Sequence, residues 1–514
     1  MALLLPTAAS HAPVRAIAAV TAESSGLTET NVTATDHSQP EGSPDVGYAL
    51  WRAYTAFARD PALLNANWSF YLADVHSGKV LIDHDSHRAI VPASTQKLVT
   101  TVSALLMLGP SYTYHTGLLT DGQTDASGVL QGNLYIRGSG DPSLGSARMD
   151  DTLSLERVLD HFLQLLNAKG IRRISGHILA DESAFDLEMV PRKWLWEDMG
   201  NYFGAGSSGL SVNENEYTVF FRAGHAVGDQ ASVAGHEPVI PGMSFLNQVR
   251  TGPRNSGDQV YIFGAPYGNE RLLTGTVPLG AQRFPVRGSM PEPPLFLARA
   301  LRDHLTANGI EVGGQGYSRR SAAIQGVPFG SPRTLLGEWV SPPLFEIVYR
   351  TNVASVNSYA ENLLKTIGRE AGGDGTTRAG ADAIRRFWEM RGVDTGGMAL
   401  HDGSGLSPSN RITARMLGQM LEQAAGEHGF PALYNSLPVA GFSGSLAGFF
   451  HNRPSEGILR AKSGFLGNVR AYAGYTTLQD GGLAAFVLIV NDYDATPSAM
   501  REKMFRLMDA ITGN

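Results

Sequence analysis

Pro92-Ala93-Ser94-Thr95-Gln96-Lys97-Leu98-Val99-Thr100-Thr101-Val102-Ser103-Ala104-Leu105-Leu106-Met107-Leu108-Gly109-Pro110 is the stretch on which the reading of this chain turns. A proline ahead, an apolar body and a Gly-Pro stop predict a helix over Leu98–Leu108. Its largely apolar character on every side places that helix in the centre of a domain. At its head stands Ser94-Thr95-Gln96-Lys97. A serine hydroxyl is a poor nucleophile until a base removes its proton. A residue three positions on lies one turn along the same helix face, so the Lys97 amine reaches the Ser94 oxygen. Burial and a second cation depress a lysine pKa and let the neutral amine act as base. The helix N-terminus favours negative charge developing at Ser94. Alone, Ser-x-x-Lys arises by chance in a long chain, and its ordinary meaning is a capping serine ahead of an exposed lysine.

Two later triplets weaken that ordinary meaning. Ser355-Val356-Asn357 sits where a helix is predicted to begin (Ser355–Ala371) and supplies a hydroxyl and an amide. Lys462-Ser463-Gly464 sits in a strand pattern between Leu459 and Val469. A strand lysine followed by a hydroxyl offers a cation and a donor to a carboxylate, and the glycine lets a substrate backbone approach closely.

Outward from these, a helix over Val46–Arg59 and a hairpin of Trp68–Val75 with Lys79–Asp83 precede the first motif. From about 111 to 335 short strands and Gly/Pro turns dominate, with helices only over Leu153–Ala168 and Pro294–Asn308. The helical pattern resumes at Val353, with Gly380–Arg391 and Ile412–Ala425 to follow. Strands around Leu459–Lys462, Val469–Thr477 and Leu483–Val490 and a helix after Thr496-Pro497 close the chain. The two ends read as halves of one α/β domain, an antiparallel sheet with helices on both faces.

The 514 residues correspond to three or four domains at roughly one per 150 residues. A net charge of −7 argues against nucleic-acid binding, which calls for a basic excess. The absence of cysteine removes disulfides, thiolate metal sites and cysteine nucleophiles together. No apolar run approaches the ~18 residues of a membrane span; at most, peripheral membrane association is expected. Ala2-Leu3-Leu4-Leu5 and Ala8-Ala9-Ser10-His11-Ala12 match part of an export signal, although a basic start is missing and Pro6 interrupts it. Residues 20–46 are Ser/Thr/Glu/Pro-rich and read as a tether.

Several signals are declined. Gly204-Ala205-Gly206-Ser207-Ser208-Gly209 fits G-x-G-x-x-G but lacks the strand before and helix after it that a dinucleotide site needs. There is no G-x-S-x-G elbow and no H-E-x-x-H among the 14 histidines. His84, His87 and His401, near the motifs, are read as structural, and metal ligation has no support.

The three triplets resemble the signatures of the serine penicillin-binding enzymes. Gly138-Ser139-Gly140-Asp141-Pro142-Ser143-Leu144, Leu210-Ser211-Val212-Asn213-Glu214-Asn215, Asp402-Gly403-Ser404-Gly405-Leu406-Ser407 and Leu437-Pro438-Val439-Ala440-Gly441 narrow the match. From about residue 46 onward the chain resembles the D-alanyl-D-alanine carboxypeptidase/endopeptidase family, the low-molecular-mass class C penicillin-binding proteins. The resemblance implies a serine β-lactamase/DD-peptidase-like α/β (α+β) fold. It divides the chain into an export segment and tether (1–45), a discontinuous catalytic domain (46–110 and 336–514), and two inserted β-rich domains. The first insert covers 111–195 and 291–335, and the second covers 196–290.

Carried over position by position, the resemblance implies Ser94 as nucleophile and Lys97 as its proton acceptor. Ser355 would relay a proton to the leaving D-alanine, and Asn357 would hold substrate and Lys97. Lys462 and Ser463 would bind the terminal carboxylate beside Gly464, with the N–H groups of Ser94 and Phe465 as oxyanion hole. Asp198 and Phe203 would meet the free end of a diaminopimelate side chain. The implied substrates are peptidoglycan stem peptides, the implied inhibitors are β-lactams, and no cofactor or metal is implied. The implied location is periplasmic or otherwise extracytoplasmic. A β-lactamase and a catalytically weak peptidoglycan-binding scaffold are the alternatives. Three positions depart from the family pattern: Val356 stands for Asp, Ser463 for Thr, and Pro408 for an Arg, with Arg411 the nearest guanidinium.

Overall fold

The computed structural model describes residues 47–512, so the export segment and tether expected over 1–45 lie outside the described residues. In chain order, the elements that carry the site begin with α1 (Tyr48–Ala58), β1 (Asn67–Asp74), β2 (Val80–His84) and α2 (Gln96–Leu108). After a long interval come α3 (Leu344–Val353), α4 (Asn357–Glu370), α5 (Thr377–Met390) and α6 (Ala414–Ala425). Strands β3 (Arg460–Leu466), β4 (Val469–Thr477) and β5 (Leu483–Asn491) and helix α7 (Pro497–Thr512) complete the set.

The apolar run of β5 sits in the middle of a five-stranded sheet of order β3-β4-β5-β1-β2, antiparallel at every pairing. Side chains alternate across a strand, so one apolar run feeds two cores. Ala485, Val487 and Ile489 join Tyr71, Ala73 and Tyr475 in the core shared with α2 to α6. Ala484, Phe486, Leu488 and Val490 join Phe70 and Leu72 in the core shared with α1 and α7. A sheet apolar on both faces needs cover on both, and the expected helices supply it.

Helix α2 is buried from Gln96 through Leu105, as its all-round apolar character predicts. Ser94 itself lies one step earlier, in a 3₁₀ turn over Ala93–Thr95 that runs into the helix. The return of helix comes sooner than the expected Val353. Leu344, Ile347, Val348 and Thr351 form a buried stripe at helical spacing, and α3 starts after Pro343. The chain then breaks at Ala354 and restarts as α4 at Asn357.

Between α2 and α3 the described residues form four further sheets. The strand that leads out, His115–Thr120, pairs antiparallel with the strand that returns, Thr334–Val340. The expected boundary between 335 and 336 falls inside that returning strand, because its pairing carries on to Val340.

Candidate active site

Three separate segments meet at Lys97. Its ammonium nitrogen donates to Ser94 Oγ at 3.0 Å, to Asn357 Oδ1 at 2.6 Å and to the Ser404 carbonyl at 2.8 Å. The first partner follows from helical spacing, and the second from the helix restart that puts Asn357 at the head of α4. Ala93 (φ +47°) and Ser355 (φ +56°) both occupy the left-handed region that side-chain-bearing residues use sparingly. Such strain collects at active sites, where surrounding structure enforces it. Val356 packs, half-buried, against the core shared with α2 to α6, as its apolar side chain requires.

The third motif lies on β3, an edge strand of the sheet that is bridged on its outer side at its start, where Arg460 meets Val439 and the Ala461 N–H donates to the Pro438 carbonyl at 2.9 Å. A methyl group at Gly464 would stand 2.9 Å from the Pro92 carbonyl, 3.1 Å from Ala93 Cβ and 3.1 Å from the Ser94 nitrogen. Only a residue without a side chain lets this strand lie against the nucleophile's turn. Ser463 donates to Ser445 Oγ at 2.7 Å. The Phe465 ring is exposed, with the Arg470 guanidinium over its face at 4.4 Å.

Lys97 and Lys462 are both fully buried, and among the described residues neither has a carboxylate within ion-pair distance. Burial pushes the Lys97 ammonium down to about 8, against the pull of Asp402 and Glu361. Burial and then the charge on Lys97 hold Lys462 well below its ordinary value. Lys462 Nζ donates to the Ser463 carbonyl at 2.9 Å. The result is a nucleophile hydrogen-bonded to a weakened cation, beside a second cation suited to an anionic group.

Asp198 lies in the short helix Trp196–Met199, buried, with one carboxylate oxygen unpartnered. Burial and then the neighbouring Glu197 push its carboxyl up to about 6. Phe203 adjoins the site through its backbone, since Asn357 Nδ2 donates to its carbonyl at 2.7 Å. Arg411 turns its guanidinium onto the carbonyls of Pro408 (2.7 Å) and Asn410 (2.8 Å) of its own loop. His84 stacks on Trp68 at 3.6 Å between centroids and bonds the Tyr54 hydroxyl, a packing role.

Four groups found here have roles that the motifs do not announce. The Ser404 carbonyl holds Lys97, and Glu361 and Asp402 hold the loop that carries it. The Asp402-Gly403-Ser404-Gly405 run was a visible signal; the interior glutamate of a predicted helix was not. Ser445 likewise went unread.

The D-Ala-D-Ala carboxypeptidase 3 (S13) family pattern matches residues 52–511. A D-alanyl-D-alanine carboxypeptidase of Actinomadura sp. (strain R39) is 31% identical over 458 residues, covering 87% of this chain and 81% of that protein. The D-alanyl-D-alanine carboxypeptidase DacB of Haemophilus influenzae is 24% identical over 436 residues, 83% and 86% of the two chains. The crystal structure of penicillin binding protein 4 (dacB) from Haemophilus influenzae superposes with a TM-score of 0.75 at 22% identity, covering 89% of this chain and 97% of that one. The same Haemophilus protein complexed with a β-lactam superposes at 0.70 and 21% identity, with the same coverage. The fold is therefore that of the penicillin-binding DD-peptidases, and the chain is a serine peptidase belonging to the D-Ala-D-Ala carboxypeptidase 3 (S13) family.

Proposed function

We propose that this serine carboxypeptidase cleaves the D-Ala-D-Ala bond of peptidoglycan stem peptides through an ester on Ser94, and also opens peptide cross-links. The observation that carries the residue assignment is the buried Lys97 nitrogen shared between Ser94 Oγ and Asn357 Oδ1. Neutral Lys97 takes the Ser94 proton as Oγ attacks the carbonyl of the penultimate D-alanine. The N–H groups of Ser94 and Phe465 stabilise the oxyanion. The C–N bond breaks, D-alanine leaves with a proton relayed through Ser355, and water then hydrolyses the ester to restore the Ser94 hydroxyl. Lys462 and Ser463 hold the terminal carboxylate, and Gly464 admits the peptide backbone. Asp198 and Phe203 meet the side chain of the third residue, with Asp198 as partner for an ammonium. Arg411 is engaged with its own loop, so the selectivity for a neighbouring side-chain carboxylate is weaker than where that loop carries a free arginine.

The same reading places the enzyme outside the cytoplasm, with penicillins as slow substrates. No described helix is long and apolar enough to cross a membrane. The insert boundaries are those given above, with the returning strand assigned whole, through Val340, to the first β-rich insert.

Fluorescent penicillin is the direct test. The wild type labels covalently and Ser94→Ala does not. Lys97→Ala keeps its fold and labels more than ~100-fold more slowly, the scale of a lost general base. Near-normal labelling by Lys97→Ala removes it from the mechanism. A long-lived acyl-enzyme separates this reading from a β-lactamase, which releases hydrolysed drug rapidly, and failure to acylate points to the scaffold.

A further inference from the structure

A neutral lysine has two hydrogens and one lone pair, so a base at Lys97 is oriented only if two acceptors take the hydrogens and leave the lone pair aimed at Ser94. Asn357 Oδ1 is one acceptor and the Ser404 carbonyl is the other. That carbonyl sits in the turn 402–407, which is buried except at the half-buried Leu406. Glu361, on α4 and 1% exposed, receives the Gly403 N–H on Oε2 and the Ser404 N–H on Oε1, both at 2.9 Å. The peptide that carries the Ser404 carbonyl donates its other end, the Gly405 N–H, to Asp402 Oδ1 at 2.8 Å. Asp402 Oδ1 also receives Gln96 Nε2 and Asn410 Nδ2, while Oδ2 receives Trp194 Nε1 and the Ser407 N–H. Thr100 Oγ1 ties the Gly403 carbonyl to α2. A carboxylate at one end of a peptide polarises the carbonyl at the other, since hydrogen bonds in series strengthen one another.

We infer that Glu361 and Asp402 are positioning residues for the base: two buried carboxylates that hold the Ser404 carbonyl in place, Asp402 also polarising it through the Gly405 N–H, and so aim the Lys97 lone pair at Ser94. The inference rests on the reading of Lys97 as base. The charged groups facing Lys97 are Glu361 from α4, Asp402 from the turn and Lys462 from β3. The two carboxylates raise the Lys97 pKa and so oppose the burial that lowers it. Burial and the Asp402 charge push the Glu361 carboxyl up, and the Gly403 and Ser404 donors pull it back toward the ionised form.

The test is the pH profile of acylation by penicillin for the wild type, Glu361→Gln, Glu361→Asp and Lys97→Ala, with a thermal melt of each. The wild-type rate climbs with pH through about 8 as Lys97 loses its proton. Glu361→Gln removes a negative charge, so the Lys97 pKa falls further and the acid limb moves about one unit to lower pH. Its plateau falls at least ~10-fold as the aim is lost. Glu361→Asp keeps the charge and loses the reach, so its plateau falls while its limb stays in place. A purely structural glutamate would lower the melt and the active fraction in both variants but leave the plateau per active molecule unchanged. A Glu361→Gln limb coinciding with the wild type overturns the inference, as does an undiminished plateau in Glu361→Asp, which decides the matter if the glutamine variant does not fold. Near-normal acylation by Lys97→Ala would instead overturn the base reading.

Discussion

Lys462 combines a cost and a use in one side chain. A buried ammonium without a carboxylate partner is expensive to hold, and its pKa lies well below the ordinary value because of that burial and of Lys97. Lys462→Met is therefore expected to stabilise the fold by about 1–3 kcal/mol near neutral pH. The folded pKa lies below the unfolded one, so in the window between them the unfolded chain binds more protons and stability rises with pH. The gain from methionine is accordingly largest below that window and fades as pH approaches the ordinary lysine value of about 10.4. Thermal melts across pH check this. In the same variant, peptides ending in a free carboxylate lose roughly 10- to 150-fold relative to amidated ones; equal losses for both would refute the carboxylate role. Val356 and Asn357 divide the opposite way. Val356→Asp puts a carboxylate into the core contact and costs about 1–3 kcal/mol with acylation little changed. Asn357→Ala removes the hydrogen bonds to Lys97 and to the Phe203 carbonyl, and slows acylation at least ~100-fold with a near-native melt. A sharp rise in activity for Val356→Asp would contradict the packed valine.

At the scale of elements, the site depends on how closely an edge strand approaches a strained turn. Gly464→Ala places a methyl group against the Pro92 carbonyl and the Ser94 nitrogen, and backbone atoms yield less readily than a side-chain tip. The expected result is acylation slowed at least ~10-fold with a stability loss of about 1–2 kcal/mol, measured by penicillin labelling and denaturant melts. Gly405 is constrained more severely. It sits at φ +82°, and a Cβ there would overlap the Ala93 carbonyl, so the turn that presents Ser404 and the turn that presents Ser94 are in direct backbone contact. The helix break between α3 and α4 belongs to the same scale, because without it Asn357 would lie inside a continuous helix rather than at its head.

For the molecule as a whole, the long interval between the first two motifs is docked onto the catalytic helices by buried polar contacts. Lys365, on α4 and 1% exposed, donates to Asp186 Oδ1 and to the Glu188 carbonyl, both at 2.7 Å. Trp194 Nε1 reaches Asp402 Oδ2 at 2.8 Å from the same stretch of chain. Asp186 is about one-third exposed, so solvent screens part of the pair. Lys365→Ala should lower stability by about 2–3 kcal/mol, somewhat under the value for a fully buried pair, while acylation per folded molecule falls less than ~3-fold. A melt and an active-site titration separate the two effects, and an unchanged melt would show that the docking does not depend on this lysine.

The sequence by itself determined the sheet and its cover. The apolar run Leu483–Val490, short and bounded by Gly481-Gly482 and Asn491-Asp492, reads as a strand buried on both faces, and an all-round apolar helix reads as one lying between layers. The three ordered triplets were legible for a similar reason: a nucleophile, an amide and a strand lysine carry their chemistry in their side chains. Tertiary structure alone decided the rest. The Ser404 carbonyl holds Lys97 across 307 positions and Asn357 donates to Phe203 across 154. A backbone carbonyl looks the same at every residue, so only the folded chain shows which one meets the base. Glu361 reads in sequence as one more polar residue of a helix, and it becomes a buried anchor only because a turn 42 positions away brings two N–H groups onto it. The start of α3 at Leu344, ahead of the expected Val353, follows an N-cap Pro343 whose side chain makes no capping hydrogen bond, so the start carries no polar cap of the kind that marks a helix in sequence.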